Sequence, residues 1–138
     1  MAVDVQLIMF LQRLWYLDQL EPNTAVYNIP MALRLRGELD VDALRQALNE
    51  IARRHEVLRT TLVACEEGIP IQLVADQLEL EVRLEELVVA DSEDTTSAAR
   101  RVLEETSAEP FNLASGPLIR VRLLRLADHD HVLQMNMH

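Results

Sequence analysis

Near the end of the sequence stand several residues that can act as proton acceptors or metal ligands. They are His129, Asp130, His131 and His138. His129 and His131 have a spacing found in metal sites, but His129 falls in a predicted turn. The predicted strand from His131 to His138 separates these two histidines by about 23 Å, at roughly 3.3 Å per residue. We therefore predict no metal site, and His138 is left at the end of a strand.

Composition excludes other chemistries. All 13 basic residues are Arg, so a Schiff-base or Lys-nucleophile enzyme is excluded. The net charge of −10 and the pI near 4.8 argue against unaided nucleic-acid binding, which needs a basic face. No glycine-rich phosphate loop is found. The four serines lack a neighbouring His in the context of a nucleophile elbow; they are Ser92, Ser97, Ser107 and Ser115.

The chain has the size and composition of one folded domain. It has 138 residues, of which 49% are hydrophobic, enough for a packed core. Cys65 is the one cysteine and has no internal disulfide partner, which favours a reducing compartment. The start lacks the basic flank of a signal peptide, and no apolar run reaches the ~18 residues of a spanning helix. We expect a cytoplasmic protein with no membrane association.

Hydrophobic periodicity predicts helices alternating with strands. The predicted helices cover 5–20, 41–54 and a segment that begins at a cap on Ser92 or Asp94 and ends near 108. The predicted strands cover 27–36, 57–65, 70–74, 80–89, 118–126 and 131–138. Pro30 lacks an N–H, so the strand 27–36 is predicted to lie at a sheet edge or to begin near Pro30. Asp40 is a good N-cap for the helix 41–54. The buried stripe of that helix is predicted to contain Val41, Leu44, Leu48, Ile51 and His55, which places His55 at its inward edge.

The last predicted strand has one apolar and one polar face. Leu133, Met135 and Met137 share one face, and Val132, Gln134, Asn136 and His138 share the other. Polar side chains in a row need hydrogen-bonding partners or water. We therefore expect a polar environment on the face that ends at His138.

Three segments, in collinear order, resemble the condensation domains of nonribosomal peptide synthetases. Residues 54–62 read RHEVLRTTL and resemble the family motif RHExLRTxF. Residues 12–20 read QRLWYLDQL and, with YNIP at 27–30, resemble the opening motif and first strand. Residues 110–113 (PFNL) and 116–118 (GPL) resemble the PFDL…GPLLR stretch. The residues at 8–11 are bulky and apolar where the family has Ser and Ala.

This resemblance implies an α/β (α+β) fold: a mixed, mainly antiparallel sheet with helices packed on it. Such a fold is the N-terminal lobe of a chloramphenicol acetyltransferase-like domain. Met137 and His138 match the start of the family's active-site motif, HHxxxDG, and the sequence ends there. The second His and the Asp of the motif are then missing. Residues 1–138 are accordingly expected to be a partial condensation domain.

The resemblance also implies the chemistry. The family joins a donor acyl or peptidyl thioester to the amine of an acceptor aminoacyl thioester. Both substrates arrive on the phosphopantetheine arms of carrier domains, with no cofactor bound directly. His138 corresponds to the first, supporting His of the motif. Arg59, Arg13 and His55 correspond to structural support of the active site, and the family's equivalent of Arg59 pairs with the motif Asp. Without that Asp, we expect Arg59 to be exposed or paired elsewhere, for example with Glu56.

Three functional hypotheses remain open. The chain is an inactive part of a condensation domain, or it is active when a separate chain supplies the remainder. Alternatively, it is a non-catalytic module that dimerises with a second copy or docks through its exposed sheet.

Overall fold

The computed structural model describes residues 9–138 of the chain. The helices are α1 (Met9–Leu20), α2 (Val41–Arg54) and α3 (Thr95–Ser107), and a 3₁₀ turn covers Glu56–Arg59. The strands are β1 (Ile29–Arg36), β2 (Thr60–Ala64), β3 (Pro70–Val74), β4 (Leu84–Glu86), β5 (Ile119–Ala127) and β6 (Asp130–Met137). The predicted helix 5–20 is found from Met9, and its residues 5–8 lie outside the described residues.

A four-stranded sheet organises the fold. Its strand order is β1-β6-β5-β4, in which β1, β6 and β5 are antiparallel and β4 runs parallel to β5. The strands β2 and β3 form a separate antiparallel pair. This arrangement confirms the predicted mixed, mainly antiparallel fold, and it confirms β1 as an edge strand.

The two faces of this sheet carry different helices. On one face, Leu123 and Leu133 pack with Leu48 and Ala52 of α2 in the main hydrophobic cluster. On the opposite face, Gln134 and Asn136 make hydrogen bonds to α3. Alternation of side chains along β6 therefore directs Leu133 toward α2 and the amides of Gln134 and Asn136, with Val132, toward α3. The predicted polar environment is confirmed.

The helix α2 begins as predicted but buries a different stripe. The Asp40 carboxylate accepts a hydrogen bond from the Ala43 N–H at 2.9 Å, as an N-cap does. Ala52 is fully buried, whereas Ile51 is 46% exposed. The small side chain of Ala52 lets the helix approach the sheet, so the buried stripe continues from Leu48 to Ala52 rather than to Ile51.

The inward position predicted for His55 is wrong. His55 is exposed and forms the C-cap of α2, with extended backbone at φ −110° and ψ 99°. Helical spacing holds only while the backbone is helical, and the last helical residue is Arg54. The side chain of His55 is therefore not directed by the periodicity of the helix.

Two predicted strands are shorter than expected. Val57 is 75% exposed because the backbone forms a 3₁₀ turn before β2 begins. In the segment 80–89, regular strand is restricted to β4, although Leu80 is buried. The Leu80 N–H donates to Asn49 Oδ1 at 2.7 Å, and Asn49 Nδ2 donates to the Leu80 carbonyl at 3.1 Å. This side-chain amide of α2 replaces a strand partner, so the backbone is satisfied without a ladder.

A smaller cluster joins α1 to the β2–β3 pair. Trp15 is buried with Leu62 and Leu113, and Leu118 packs against them. The helix α1 therefore packs into the core through Trp15, as predicted. Among residues 9–138, no helix has the length and apolarity needed to cross a membrane.

Candidate functional site

His138 directly follows β6, a central strand of the four-stranded sheet. Its backbone N–H donates to the carbonyl of Leu118 at 3.1 Å, which holds the residue beside the start of β5. Two aromatic rings lie against the imidazole: Tyr27 and Phe111, each with its centroid 6.3 Å from the centroid of His138. The interplanar angles of 60° and 81° are edge-to-face arrangements, the geometry that aromatic pairs prefer.

These surroundings favour the neutral imidazole. Partial burial lowers the pKa of His138 from its ordinary value of 6.5, and the negative charge of Asp18 opposes part of this shift. A neutral imidazole has one nitrogen that donates and one that accepts a hydrogen bond. His138 can therefore accept a proton or orient a neighbouring polar group at neutral pH.

The polar face of β6 reaches the end of α3. Gln134 Nε2 donates to the Leu103 carbonyl at 2.8 Å and to Ser107 Oγ at 3.0 Å. Asn136 Nδ2 lies 3.3 Å from the Thr106 carbonyl and 3.4 Å from that of Ser107. The carbonyls of Thr106 and Ser107 stand at the end of α3, where a helix has no donors left, so Asn136 supplies donors there. The Leu103 carbonyl accepts from Gln134 in addition to Ser107 Oγ.

Two further side chains bind the segment that follows α3. Asn28 Nδ2 donates to the carbonyls of Ser107 and Glu109, both at 2.9 Å. Arg120 donates to the carbonyls of Glu109 and Pro110, at 2.9 and 2.6 Å. We call the five acceptor carbonyls the carbonyl cluster; they belong to Leu103, Thr106, Ser107, Glu109 and Pro110. The cluster fixes the chain immediately before Phe111.

Gly116 allows a close contact between the segment after Phe111 and the strand β2. Gly116 has φ +58°, and a Cβ there would lie 2.7 Å from Cγ2 of Thr61. Any side chain at this position would therefore be strained and would push β2 away. Gly116 thus allows the segment between Phe111 and Leu118 to lie against β2.

Arg59 has the alternative partner that the sequence predicts. Its Nη2 lies 3.5 Å from Glu56 Oε1, and its Nη1 donates to the Ala75 carbonyl. The side chain is 14% exposed, and the buried Nε has no hydrogen-bond partner among the described residues. The guanidinium is therefore largely buried, only partly neutralised, and retains an unused donor.

The other predicted site residues lie apart from this constellation. Arg13 is exposed on α1, and His55 is exposed at the end of α2. His131 is 7% exposed on β6. No group of three or more His, Cys, Asp or Glu side chains within the described part of the chain is arranged to hold a metal ion.

The sequence did not single out the residues that surround His138 as site residues. Tyr27 and Phe111 are part of the motifs, but nothing in their spacing connects them to a residue at position 138. One usable signal is the antiparallel hairpin of the last two strands, since its register places Arg120 opposite Asn136. That pairing predicts that Arg120 and the end of β6 share a face.

The chain matches known proteins over nearly its whole length. The family described as "Condensation domain" matches residues 3–138. The chain is 42% identical over 127 residues to a linear gramicidin synthase polypeptide of Brevibacillus parabrevis; the match covers 92% of this chain and 2% of that protein.

Solved structures share the fold. The first condensation domain of the calcium-dependent antibiotic synthetase matches with a TM-score of 0.80 and 25% identity, covering 92% of this chain and 30% of that one. The X-domain from teicoplanin biosynthesis, solved in complex with OxyB, matches with a TM-score of 0.84 and 30% identity, covering all of this chain and 28% of that one. The chain therefore spans about a third or less of the proteins it resembles, and it belongs to the condensation domain family.

Proposed function

We propose that residues 1–138 form the N-terminal lobe of a condensation domain of a nonribosomal peptide synthetase. The complete domain joins a donor acyl or peptidyl thioester to the amine of an acceptor aminoacyl thioester. The observation that carries this proposal is the position of His138: a partly buried imidazole, with a lowered pKa, at the end of a central strand in a chain of this family.

In this proposal, His138 supports the second His of the HHxxxDG motif rather than contacting the amine itself. The neutral form of His138 suits that role, because it can accept a hydrogen bond while its own ring is held by Tyr27 and Phe111. Proton transfer or positioning by a side chain requires this kind of fixed geometry.

Arg59 is proposed to pair with the Asp of the same motif. Its partly neutralised guanidinium and its partnerless Nε support this role, because a buried cation is stabilised by a second carboxylate. Arg13 and His55 are proposed as structural supports. Both are exposed here, so their supporting contacts would be made with the remainder of the domain.

The substrates are proposed to arrive on phosphopantetheine arms of carrier domains, with no cofactor held by the lobe itself. The partners are accordingly peptidyl or acyl carrier domains and the remaining part of the condensation domain, in the cytoplasm. The similarity to the linear gramicidin synthase polypeptide supports such an assembly.

A fusion tests the proposal. The chain is joined after His138 to the polypeptide that follows the matching segment in the linear gramicidin synthase, and it is supplied with loaded donor and acceptor carriers. We expect a peptidyl thioester on the acceptor, detected by intact-protein mass spectrometry, and none from the chain alone. The variant His138→Ala in the fusion should lower the rate by on the order of 100-fold. A folded fusion without product, or product from the isolated chain, would contradict the proposal.

A second candidate is a non-catalytic binding module. The edge strand β1 exposes an apolar row, with Ile29 61%, Met31 40% and Leu33 44% exposed. The X-domain, 30% identical to this chain, was solved in a complex with OxyB. Sedimentation of the chain at several concentrations distinguishes the two candidate functions. The binding module predicts self-association through β1, and Met31→Glu should abolish it. A monomer at every concentration argues against the second candidate.

A further inference from the structure

The side chain of Arg120 lies between the carbonyl cluster and the ring of Phe111. Its guanidinium carbon is 4.0 Å from the centroid of that ring, a close cation–π contact. The same guanidinium donates to the carbonyls of Glu109 and Pro110, the two residues directly before Phe111. Arg120 therefore fixes both the backbone that leads into Phe111 and the face of its ring.

Phe111 in turn is held on a second side. Its side chain is 4% exposed, and the edge-to-face contact with His138 is made from this buried position. Because Arg120 stands opposite Asn136 on β6, the residue that binds the ring and the strand that carries His138 belong to the same hairpin. The β5–β6 hairpin thus holds both groups: β5 holds the ring of Phe111 through Arg120, and β6 carries the imidazole of His138.

We propose that Arg120 and Phe111 are positioning residues for His138. Arg120 anchors the ring of Phe111 to β5, and that ring sets the orientation of the imidazole and limits its contact with water. The effect on the reaction rests on the proposed function, whereas the effect on the imidazole itself does not.

The neighbouring Arg122 provides a matched control. It lies on the same strand and the same face, and it donates to Glu85 Oε2 at 2.8 and 2.7 Å and to Thr106 Oγ1 at 2.7 Å. Arg122 thus joins β5 to β4 through Glu85 and to the end of α3 through Thr106, rather than to the backbone before Phe111. A general loosening of this face would follow from either substitution, whereas a specific effect on His138 should follow from Arg120 alone.

The first experiment is a pH titration of His138 by NMR in the 138-residue chain, with its signals assigned by comparison with His138→Gln. In Arg120→Met, we expect the pKa of His138 to rise toward its ordinary value, because the ring shields the imidazole less. We also expect the nuclear Overhauser contact between Phe111 and His138 to be lost. Arg120→Lys keeps the charge but lacks the planar fork that binds two carbonyls, so it should show the same two changes.

The Lys variant therefore separates anchoring from charge. Arg122→Met should leave both the pKa of His138 and the ring contact unchanged. Arg120 is 34% exposed, so the Met and Lys variants are compatible with folding. An unchanged ring contact in both Arg120 variants, or an equal change in Arg122→Met, overturns the proposal.

The second experiment uses the fusion described above. Phe111→Leu should lower kcat by about tenfold with the KM for loaded carriers unchanged, since misplacement of a site residue reduces turnover rather than binding. Phe111→Met fills a similar volume without a ring and should show the same loss of kcat, whereas a merely space-filling role predicts little change. The NMR titration of the 138-residue chain needs no turnover. If the Arg120 variants show the expected changes while the fusion is inactive, the result counts against the proposed function alone.

Discussion

The two faces of the four-stranded sheet are made from alternate residues of the same strands, yet they are held by different interactions. Toward α2, the side chains are apolar and pack with Leu48 and Ala52. Toward α3, Gln134 and Arg120 donate to the carbonyl cluster, beside the buried apolar side chains Leu124 and Val132. One strand, β6, therefore contributes at once to the hydrophobic core and to the support of His138.

The α2 face therefore contributes mainly to the stability of the fold, and the α3 face to the position of the residues around His138. Burial of apolar surface is non-directional, so the α2 face favours compactness without fixing a particular side-chain orientation. Hydrogen bonds require defined distances and angles, so the α3 face fixes the chain that carries Phe111. The candidate site lies on the face where geometry is set by directional contacts.

The largest expected effect concerns a row of three leucines across the apolar face. Leu123, Leu133 and Leu33 are neighbours in register on β5, β6 and β1, and they are 0%, 4% and 44% exposed. Leu123→Ala should reduce the free energy of unfolding by about 2–5 kcal/mol, because it leaves a cavity in the core. Urea denaturation measures this loss.

Leu33→Ala is the matched control in the same row. It should reduce the free energy of unfolding by about 1 kcal/mol or less, since much of this side chain already contacts water. Equal losses in the two variants would show that the apolar face is covered at β1 in solution, for example by a second copy, and the loss in Leu33→Ala would then depend on protein concentration.

A smaller effect is expected on the polar face. Gln134→Met keeps the length of the side chain but removes the donor to Leu103 and Ser107. We expect a loss of about 1–2 kcal/mol, because two partly buried hydrogen bonds are lost, although the Leu103 carbonyl still accepts from Ser107 Oγ. Hydrogen exchange should accelerate in the last turn of α3 and not in α2. An increase spread evenly over both helices would contradict the division of roles between the two faces.

Much of this architecture follows from patterns in the sequence. The alternation in β5 and β6, the N-cap Asp40 and the edge position of β1 all depend on local rules, and the structure confirms them. The polar row of β6 also indicated a polar environment. These features are predictable because each is set by residues close together in the chain.

Apart from His55, where the helix simply ends, the errors arose where a distant residue decides the local structure. Asn49 binds the backbone of Leu80 from 31 positions away, which removes the need for a strand there. The ring that lies against His138 comes from Phe111, and its anchor, Arg120, was predicted only as a strand residue. The hairpin of the last two strands relates Arg120 to the end of β6, but no pattern in the sequence connects Phe111 to His138.

The smallest effect is expected at the exposed start of β6, at the end of this face opposite to His138. Arg34 binds Asp130 through two hydrogen bonds, at 2.8 and 2.5 Å. The guanidinium of Arg34 lowers the pKa of Asp130 below its ordinary value of 3.8. A carboxylate with a lowered pKa in the folded state stabilises the fold above its unfolded-state pKa, and this contribution disappears as the pH falls through the folded-state value.

The variant Asp130→Asn should therefore be less stable than the unmodified chain at about pH 6, with a difference that vanishes in acid well below pH 3.8. Molar salt should also shrink the difference, because both side chains are exposed enough to be screened. The Gln134→Met loss involves a neutral amide and should persist under both conditions. A salt-resistant loss in Asp130→Asn would mean that directional contacts, rather than charge, hold this end of the sheet as well.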